Sequence, residues 1–357
     1  MAKKKIEDIV VDDYTDRLVK EIQKKYGDGC VVDADTIIED NKAVIPVSPA
    51  IDPILSGGIP EGSWVVLTGP PKYGKTTLAL HFAANCQREE NGSRHVYYLN
   101  VEGRLKKMNI EGIPGLQRDK LTIITSTDEI AFTSHQFLDI AENILRTHKK
   151  CVLIIDSMSA LSDAREVEGG IGTKTRGSIN QDVSQFCRDM SGIVPFKNSI
   201  VISITHQIAN TSGYGPARME KAANALKYQT DVKLLAKSTK PWLVGQSTKP
   251  IGQEVEWECQ VSALGGPGDK CTSYIRYGWG IDEVYELIDV ALSCGLITKS
   301  GAWYTCDYME NHLEILEVDK WDEKLAKFQG QDNLRAHLVD NEDWLVAMKS
   351  SLKEIIG

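Results

Sequence analysis

Nowhere does this 357-residue chain approach the ~20 consecutive apolar residues of a membrane-spanning helix. The run Cys151-Val-Leu-Ile-Ile155 has only the length of a buried strand, so a membrane-embedded protein is excluded and no membrane partner is expected. The eight cysteines, Cys30, Cys86, Cys151, Cys187, Cys259, Cys271, Cys294 and Cys306, include no C-x-x-C spacing and have no neighbouring His-x-x-x-His, which removes a zinc ribbon. Also missing is an apolar stretch behind the basic start Met1-Ala-Lys-Lys-Lys-Ile, where Glu7, Asp8, Asp12 and Asp13 stand instead. No export signal is read, so the expected location is the cytoplasm, with reduced and mostly buried cysteines. Positive charge is in short supply overall: 41 Lys and Arg face 50 Asp and Glu, a net −9 that argues against a uniformly basic coat for nucleic acid. Hydrophobic residues at 42% and charged residues at 25% are globular values. The length allows one sizeable core and at least one smaller unit.

The charge is unevenly placed. From Asp307 onward twelve acids stand against six bases, whereas Arg218 to Lys240 carries six bases (Arg218, Lys221, Lys227, Lys233, Lys237, Lys240) against Glu220 and Asp231. The acidic surface is therefore terminal in sequence and the basic one interior.

Apolar residues Tyr14, Leu18, Ile22 and Tyr26 recur at i, i+4 with charges between them, and Gly27-Asp-Gly29 ends the pattern. This predicts an amphipathic helix over about residues 12–27, docked on its own domain or on a neighbouring subunit. From residue 63 strand-like and helix-like runs alternate: strands at 63–68, 95–101, 151–155 and 199–204, and helices at 76–88, 131–147 and 179–190. Alternation of this kind predicts an α/β fold, a largely parallel sheet with helices on both faces. After about residue 225 β-rich segments at 231–235, 254–262 and 272–276 are expected to extend the sheet in antiparallel fashion. Helical periodicity returns at Val284, Leu287, Ile288 and Ala291, and in a tail over 341–356.

The strongest chemical signal is Gly69-Pro70-Pro71-Lys72-Tyr73-Gly74-Lys75-Thr76, a G-x-x-x-x-G-K-[ST] loop running into Thr77 and a helix-like stretch. Such a loop wraps phosphates in backbone N–H groups, Lys75 reaches the β- and γ-phosphates, and the Thr76 hydroxyl can hold Mg²⁺. ATP and Mg²⁺ are the expected cofactors. Asp156 closes a strand where a second metal-directed carboxylate belongs. Glu102, ending another strand, is placed to activate a water attacking the γ-phosphate. Gln207, after the strand at 199–204, is placed to sense that phosphate. Two glycine-rich polar segments follow the last two parallel strands, at 166–177 and 207–221, and neither reads as a regular element. Their Lys174, Arg176, Arg218 and Lys221 offer phosphate-pairing charge and Tyr214 a face for a base, the ingredients of a channel for single-stranded nucleic acid.

Taken together, these residues resemble the RecA-type strand-exchange recombinases, in a phage or divergent bacterial form. Further segments carry the resemblance: Glu21-Ile-Gln-Lys-Lys-Tyr-Gly-Asp-Gly29, Ile54-Leu-Ser-Gly-Gly-Ile-Pro-Glu-Gly62, Ile155-Asp-Ser-Met-Ser-Ala-Leu161, the Glu-x-Glu-Gly-x-Ile-Gly element at 166–172, Asn224-Ala-Leu-Lys-Tyr228, Tyr277-Gly-Trp-Gly280 and Gly301-Ala-Trp-Tyr304. The resemblance implies an amino-terminal oligomerisation segment (1–35), a RecA-like P-loop ATPase core (36–280) with DNA-binding loops at about 165–177 and 207–223, and a small acidic carboxyl-terminal α/β domain (281–357). It implies a DNA-dependent ATPase that forms a helical homo-oligomeric filament on single-stranded DNA and pairs it with homologous duplex, in company with single-strand-binding and loader proteins. Residue by residue it assigns Lys75, Glu102 and Gln207 to catalysis, Tyr277 to nucleotide contact across the filament interface, and Arg188, Asn224 and Lys227 to DNA.

The sequence also departs from the family. Pro71, Lys72 and Tyr73 stand where the family has an acid and small serines. Lys106 and Asn109 replace the aspartate and tyrosine that usually flank adenine, and Gln181 stands where a further basic residue is common. Around Gln260-Val-Ser-Ala263 two lysines that reach the neighbour's γ-phosphate are missing, with Lys270, Lys72 and Arg276 as alternatives. Two other readings remain open from the residues alone: a hexameric ring DNA helicase on the same core, for which His206 beside Gln207 speaks, and a regulatory P-loop ATPase that does not act on DNA.

Overall fold

The computed structural model describes residues 2–39, 42–161, 178–210, 218–220, 224–245 and 247–356. The chain divides into two compact units, Met1–Lys42 and Ala43–Gly357. The first is dominated by helix α1 (Ala2–Tyr26), which begins ten residues earlier than the periodicity predicts. Its apolar positions Tyr14, Leu18 and Tyr26 are exposed.

The second unit is built on a nine-stranded sheet. In chain order its labelled elements are β1 (Trp64–Thr68), α2 (Lys75–Gln87), β2 (Val96–Asn100), β3 (Leu121–Thr125), α3 (Ser134–Thr147), β4 (Val152–Asp156), α4 (Ser178–Met190), β5 (Ile200–Ile204), β6 (Val232–Trp242), β7 (Gly252–Val261), β8 (Lys270–Arg276), β9 (Gly280–Ile281), α5 (Glu283–Ser293), α6 (Gln331–Asp340) and α7 (Glu342–Ile356). The strand order is β9-β8-β7-β6-β1-β5-β4-β2-β3. Pairings from β6 through β3 are all parallel, and those from β6 through β9 antiparallel. The expected α/β fold and its antiparallel extension are therefore both present.

The central parallel strands β1, β4 and β5 are buried on both faces, which is why they read as continuous apolar runs. Alternation sorts their side chains: Val152 and Ile154 enter the core that holds Leu78, Phe82 and Ala83 of α2, while Leu153 and Ile155 face the core of Phe137, Leu145, Phe186 and Met190 from α3 and α4. Helix α2 is almost wholly buried. Helix α3 opens with a reciprocal cap, Gln136 N–H to Thr133 Oγ1 at 3.3 Å and Thr133 N–H to Gln136 Oε1 at 2.9 Å. Strand β3, an edge strand with Thr122, Ile123 and Thr125 exposed, is absent from the sequence reading. So is much of the carboxyl-terminal part, a three-stranded antiparallel sheet (Ile297–Ser300, Trp303–Cys306, Lys327–Gln329) packed with α5, α6 and α7 around Ile288, Met309, Leu334, Leu338 and Met348. The segment after β5, expected to lack regular structure, forms a short antiparallel hairpin, Gln207–Ala209 with Arg218–Glu220. Every cysteine is unpaired: five are buried, Cys271 and Cys294 are half-buried, and Cys30 is exposed. No described helix is long and apolar enough to cross a membrane.

The amino ends of the parallel strands are tied by one buried ion pair. Arg94, just before β2, contacts Glu61, which precedes β1, and both side chains are nearly inaccessible. The guanidinium also donates to the carbonyls of Asn91 (3.0 Å) and Asn198 (2.6 Å), the latter leading into β5, and Lys150 Nζ ahead of β4 lies 3.8 Å from Glu61. Removing one member of such a pair strands the other's charge at a cost of about 3–5 kcal/mol. Glu61→Ala is expected to cost more than Arg94→Ala, because Lys150 still faces Glu61 when Arg94 is gone. In denaturant unfolding the double substitution should lose less than the sum of the two single losses, and additive losses would dissolve the coupling.

Candidate functional site

At the opposite, carboxyl edge of the sheet the ends of β1, β2, β4 and β5 converge. The chain leaves β1 through Gly69, whose φ of 142° and close approach to Ala236 (an added Cβ would lie 2.6 Å from its carbonyl oxygen) admit only glycine. It enters α2 through Gly74 in the left-handed region, φ 76°. Between them Lys72 also takes a positive φ of 66°, and its carbonyl accepts from Gln253 Nε2 on β7 at 3.2 Å. The loop thus presents its backbone at the amino end of a 13-residue helix, where unpaired N–H groups favour an anion.

Lys75 is 4% exposed. Its ammonium donates to the carbonyls of Gly69 (2.9 Å) and Pro70 (2.7 Å), so it is curled into its own loop. Burial pulls its pKa down to about 8, while the charges of Asp156 and Glu102 act the other way. At the end of β4, Asp156 Oδ2 accepts from Thr76 Oγ1 at 2.7 Å and from Tyr98 OH at 2.5 Å. Burial first, and then Asp156, push the Tyr98 phenol well above its ordinary value, so it remains a donor. Glu102, just beyond β2, accepts from Ser157 Oγ at 2.7 Å and from His206 Nε2 at 2.6 Å on the same oxygen, Oε1, and Arg104 lies 3.6 Å from Oε2. The His206 bond, with those from Ser157 and the charge of Arg104, holds the Glu102 carboxyl at about 2 against the upward push of burial.

A cavity of about 1000 Å³ runs from this edge along the loop, lined by Lys72, Tyr73, Lys75, Thr76, Asp156, Glu102 and His206, and further out by Met108, Asn109, Tyr277 and Trp279. The turn carrying Tyr277 and Trp279 sits directly on the helix Lys107–Glu111, for a Cβ on Gly112 would lie 2.5 Å from the Gly278 carbonyl oxygen. Tyr277, expected to reach nucleotide across a subunit interface, here lines the cavity of its own chain.

Of the sequence-derived candidates, Gly69, Pro70, Pro71, Lys72, Tyr73, Gly74, Lys75, Thr76, Thr77, Glu102 and Asp156 are brought to this edge. Gln207 opens the hairpin, and its backbone N–H donates to the Gly69 carbonyl at 3.2 Å. Arg188 lies at the exposed end of α4, bonded to Gln185 at 2.8 Å, and Asn224 and Lys227 lie exposed on the helix Asn224–Gln229. Arg218 pairs with Ala209 through the backbone. Lys174, Arg176, Tyr214 and Lys221 fall outside the described residues. Among the alternatives for the missing lysines, Arg276 is bonded to Asp282 (3.1 Å), Lys270 faces Glu258 (3.8 Å), and Lys72 is exposed on the loop. Sequence reasoning missed Tyr98, Ser157, Arg104 and the role of His206. For Tyr98 the available signal was a hydroxyl-bearing ring in the middle of the strand beside the one ending in Asp156.

The arrangement fits a Mg²⁺ nucleotide. Among the described residues no three His, Cys, Asp or Glu side chains are grouped to hold a metal alone. The Thr76 hydroxyl and Asp156 carboxylate supply the hard oxygen donors that suit Mg²⁺ shared with phosphates, and among the described residues the buried ammonium has no carboxylate in hydrogen-bond reach.

A parallel sheet with a phosphate loop between its first strand and helix, and carboxylates at two neighbouring strand ends, defines the class of P-loop α/β proteins. Within that class the chain belongs to the RecA family: residues 14–282 match the model for the RecA N-terminal domain and residues 285–357 that for the RecA C-terminal domain. It is similar to proteins named RecA from Oleidesulfovibrio alaskensis (30% identical, covering 94% of this chain and 89% of the relative), Bacillus licheniformis (28%, 96% and 91%) and Ruminococcus albus (27%, 98% and 84%).

An anion over Lys75 favours the ammonium form, so it raises a pKa that stands at about 8 in the free site. Below that value the lysine is already charged, and binding should move almost no proton. Above it the free lysine is increasingly neutral, and binding should take up most of a proton per site. Calorimetry of nucleotide binding in buffers of different ionisation enthalpy measures this directly, and heats that are independent of buffer well above pH 8 would contradict it.

Proposed function

We propose that this RecA-family chain is a DNA-dependent ATPase that assembles as a helical filament on single-stranded DNA and carries out homologous pairing and strand exchange in recombination and repair. One observation carries the link between nucleotide and DNA: the stem of the second candidate DNA loop is hydrogen-bonded to the phosphate loop, Gln207 N–H to the Gly69 carbonyl. The family match over residues 285–357 favours this reading over a ring helicase on the same core.

In this reading the backbone of residues 69–76 and the Lys75 ammonium bind the phosphates of ATP, and Thr76 and Asp156 hold Mg²⁺. The metal, when bound, neutralises charge on the phosphoryl oxygens. Tyr98 keeps the Asp156 carboxylate oriented. Glu102 takes the proton of the attacking water, and Gln207 reports the γ-phosphate to the hairpin. Tyr277 contacts the nucleotide. Arg188, Asn224, Lys227 and Arg218, with Lys174, Arg176, Tyr214 and Lys221, contact DNA. The segments 1–35, 36–280 and 281–357 serve as oligomerisation segment, ATPase core and acidic carboxyl-terminal domain, the last repelling duplex DNA until cations screen it. Single-strand-binding and loader proteins are the further partners.

Two measurements test this. Glu102→Gln should bind ATP normally and hydrolyse it about 10²–10⁴-fold more slowly, the range for loss of a general base, whereas turnover at the parental rate removes Glu102 from that role. Replacing Arg176, Arg218 and Lys221 together by alanine removes three phosphate contacts, each worth about 0.7 in the log–log salt slope for single strands, so the slope should flatten by up to about 2. Affinity should fall alike for all sequences and basal ATP affinity should survive. An unchanged slope with full DNA stimulation places the DNA elsewhere.

A further inference from the structure

Lysine or arginine lines the cavity at four places, Lys72, Lys75, Arg104 and Arg276. Lys75 is curled onto the carbonyls of its own loop, Arg276 is bonded to Asp282 at 3.1 Å, and Lys72 stands on the phosphate loop itself. Of the four, Arg104 is the one in contact with the candidate base. Its guanidinium Nη1 lies 3.6 Å from Glu102 Oε2, and the side chain is 83% exposed, with no other partner among the described residues. The main chain on either side is anchored, for the Gly103 N–H donates to the Asn100 carbonyl at 3.2 Å and the Leu105 N–H to Asn100 Oδ1 at 3.4 Å. A fixed stem therefore carries a long cation that little holds in place. Ser157 and His206 both occupy Oε1 of Glu102, so Oε2 is the oxygen left to accept a proton from water, and Arg104 stands against it. An ion pair this exposed is weak. A phosphate presents arginine with a bidentate, more highly charged partner, which competes well for it.

We propose that Arg104 is a further catalytic residue for ATP hydrolysis, supplied by the same chain: in the free site its guanidinium screens Oε2 of Glu102, and with ATP bound it turns onto the γ-phosphate, opening Oε2 to the attacking water. This rests on the reading of Glu102 as the base. In the step itself the water oxygen bonds to the γ-phosphorus, the bond from that phosphorus to the β–γ bridging oxygen breaks with its electron pair left on ADP, and the water proton passes to Glu102. Arg104 neither gives nor takes a proton, since guanidinium stays charged. Its part is to meet the charge that spreads over the γ-oxygens as the phosphoryl group transfers. ADP has no γ-phosphate to draw the guanidinium away, so with ADP bound the screen stays in place.

The test uses the full chain. ATP turnover is measured against ATP concentration, and affinities for ADP and for ADP with aluminium fluoride, a mimic of the transferring phosphoryl group, are read by displacement of a fluorescent ADP analogue. Arg104→Ala should lower kcat about ten- to hundredfold, the range for one hydrogen bond between charged groups. Affinity for ADP should change less than about twofold, whereas affinity for ADP with aluminium fluoride should fall by about the same factor as kcat. Arg104→Lys, which keeps the charge, should recover part of both losses, and the neutral Arg104→Gln should recover neither. The exposed side chain leaves no cavity when truncated, and retained ADP binding verifies the fold of each variant. Parental kcat in Arg104→Ala, equal losses of affinity for ADP with and without aluminium fluoride, or full recovery by Gln overturns the inference. A Glu102→Gln chain that hydrolyses ATP at the parental rate overturns the base reading and the inference together. A slow Glu102→Gln chain beside an Arg104→Ala chain of parental kcat overturns the inference alone.

Discussion

One carboxylate oxygen, Asp156 Oδ2, accepts from the hydroxyls of Thr76 and Tyr98 at 2.7 and 2.5 Å, and the geometry of the nucleotide edge depends on it. Thr76 lies on the helix that follows β1, Tyr98 on β2, and Asp156 ends β4, so three chain segments distant in sequence are registered through a single atom. The register of the sheet makes this possible: Asn100 pairs with Asp156 and Asp156 with Ile204, bringing the strands to an end at the same level. The next residues outward, Val101-Glu102, Ser157 and Thr205-His206-Gln207, then fall side by side. Burial on both faces keeps the strands from slipping, because a shift of one residue would turn Ile154 and Ile155 into each other's cores.

The two ends of the same strands are held by opposite kinds of electrostatics. At the amino end Arg94 and Glu61 are paired and buried, a charge-neutral knot that fixes the strand starts. At the carboxyl end two charges are buried without a charged partner in contact: Lys75 is satisfied by carbonyls, and Asp156 by hydroxyls. A buried ammonium whose pKa has fallen to about 8 is destabilised relative to water. A polyanion placed over the ammonium would relieve that cost, because it favours the charged form.

The parallel core was legible because burial on both faces writes unbroken apolar runs, as in residues 151–155, and because the glycines of 69–74 announce a backbone that other residues cannot adopt. Strand β3 was not, since Leu-Thr-Ile-Ile-Thr on a sheet edge carries neither a long apolar run nor a clean alternation. The hairpin Gln207–Ala209 with Arg218–Glu220 is three residues on each side, too short for periodicity to register. In the site, Lys75, Thr76 and Asp156 were readable because each stands at a fixed offset from a glycine or a strand end. His206, Ser157 and Tyr98 were not, because their partners lie 104, 55 and 58 residues away, and only the strand register brings them together.

The same register shows what this chain has built beside the position where two family lysines are missing. Glu254, Glu256 and Glu258 alternate along β7 and so share a face, with Lys237 of β6 meeting Glu258 at 2.7 Å and Glu256 at 4.0 Å, and Lys270 of β8 reaching Glu258 at 3.8 Å. Two of these acids and both lysines thus form a ladder across three antiparallel strands, the kind of cross-strand pairing that stabilises a sheet face. Lys237 is an exposed group whose pKa is raised first by its bond to Glu258, the acid it shares with Lys270. The ladder also commits Lys270, one of the three alternatives, to this face. Arg276 is committed in turn, since it bonds Asp282 and lies over the Trp242 ring at 5.2 Å, bracing the junction between β8 and α5. The charge this surface presents is therefore set by how the lysines balance against Glu256 and Glu258, and not by the number of lysines alone.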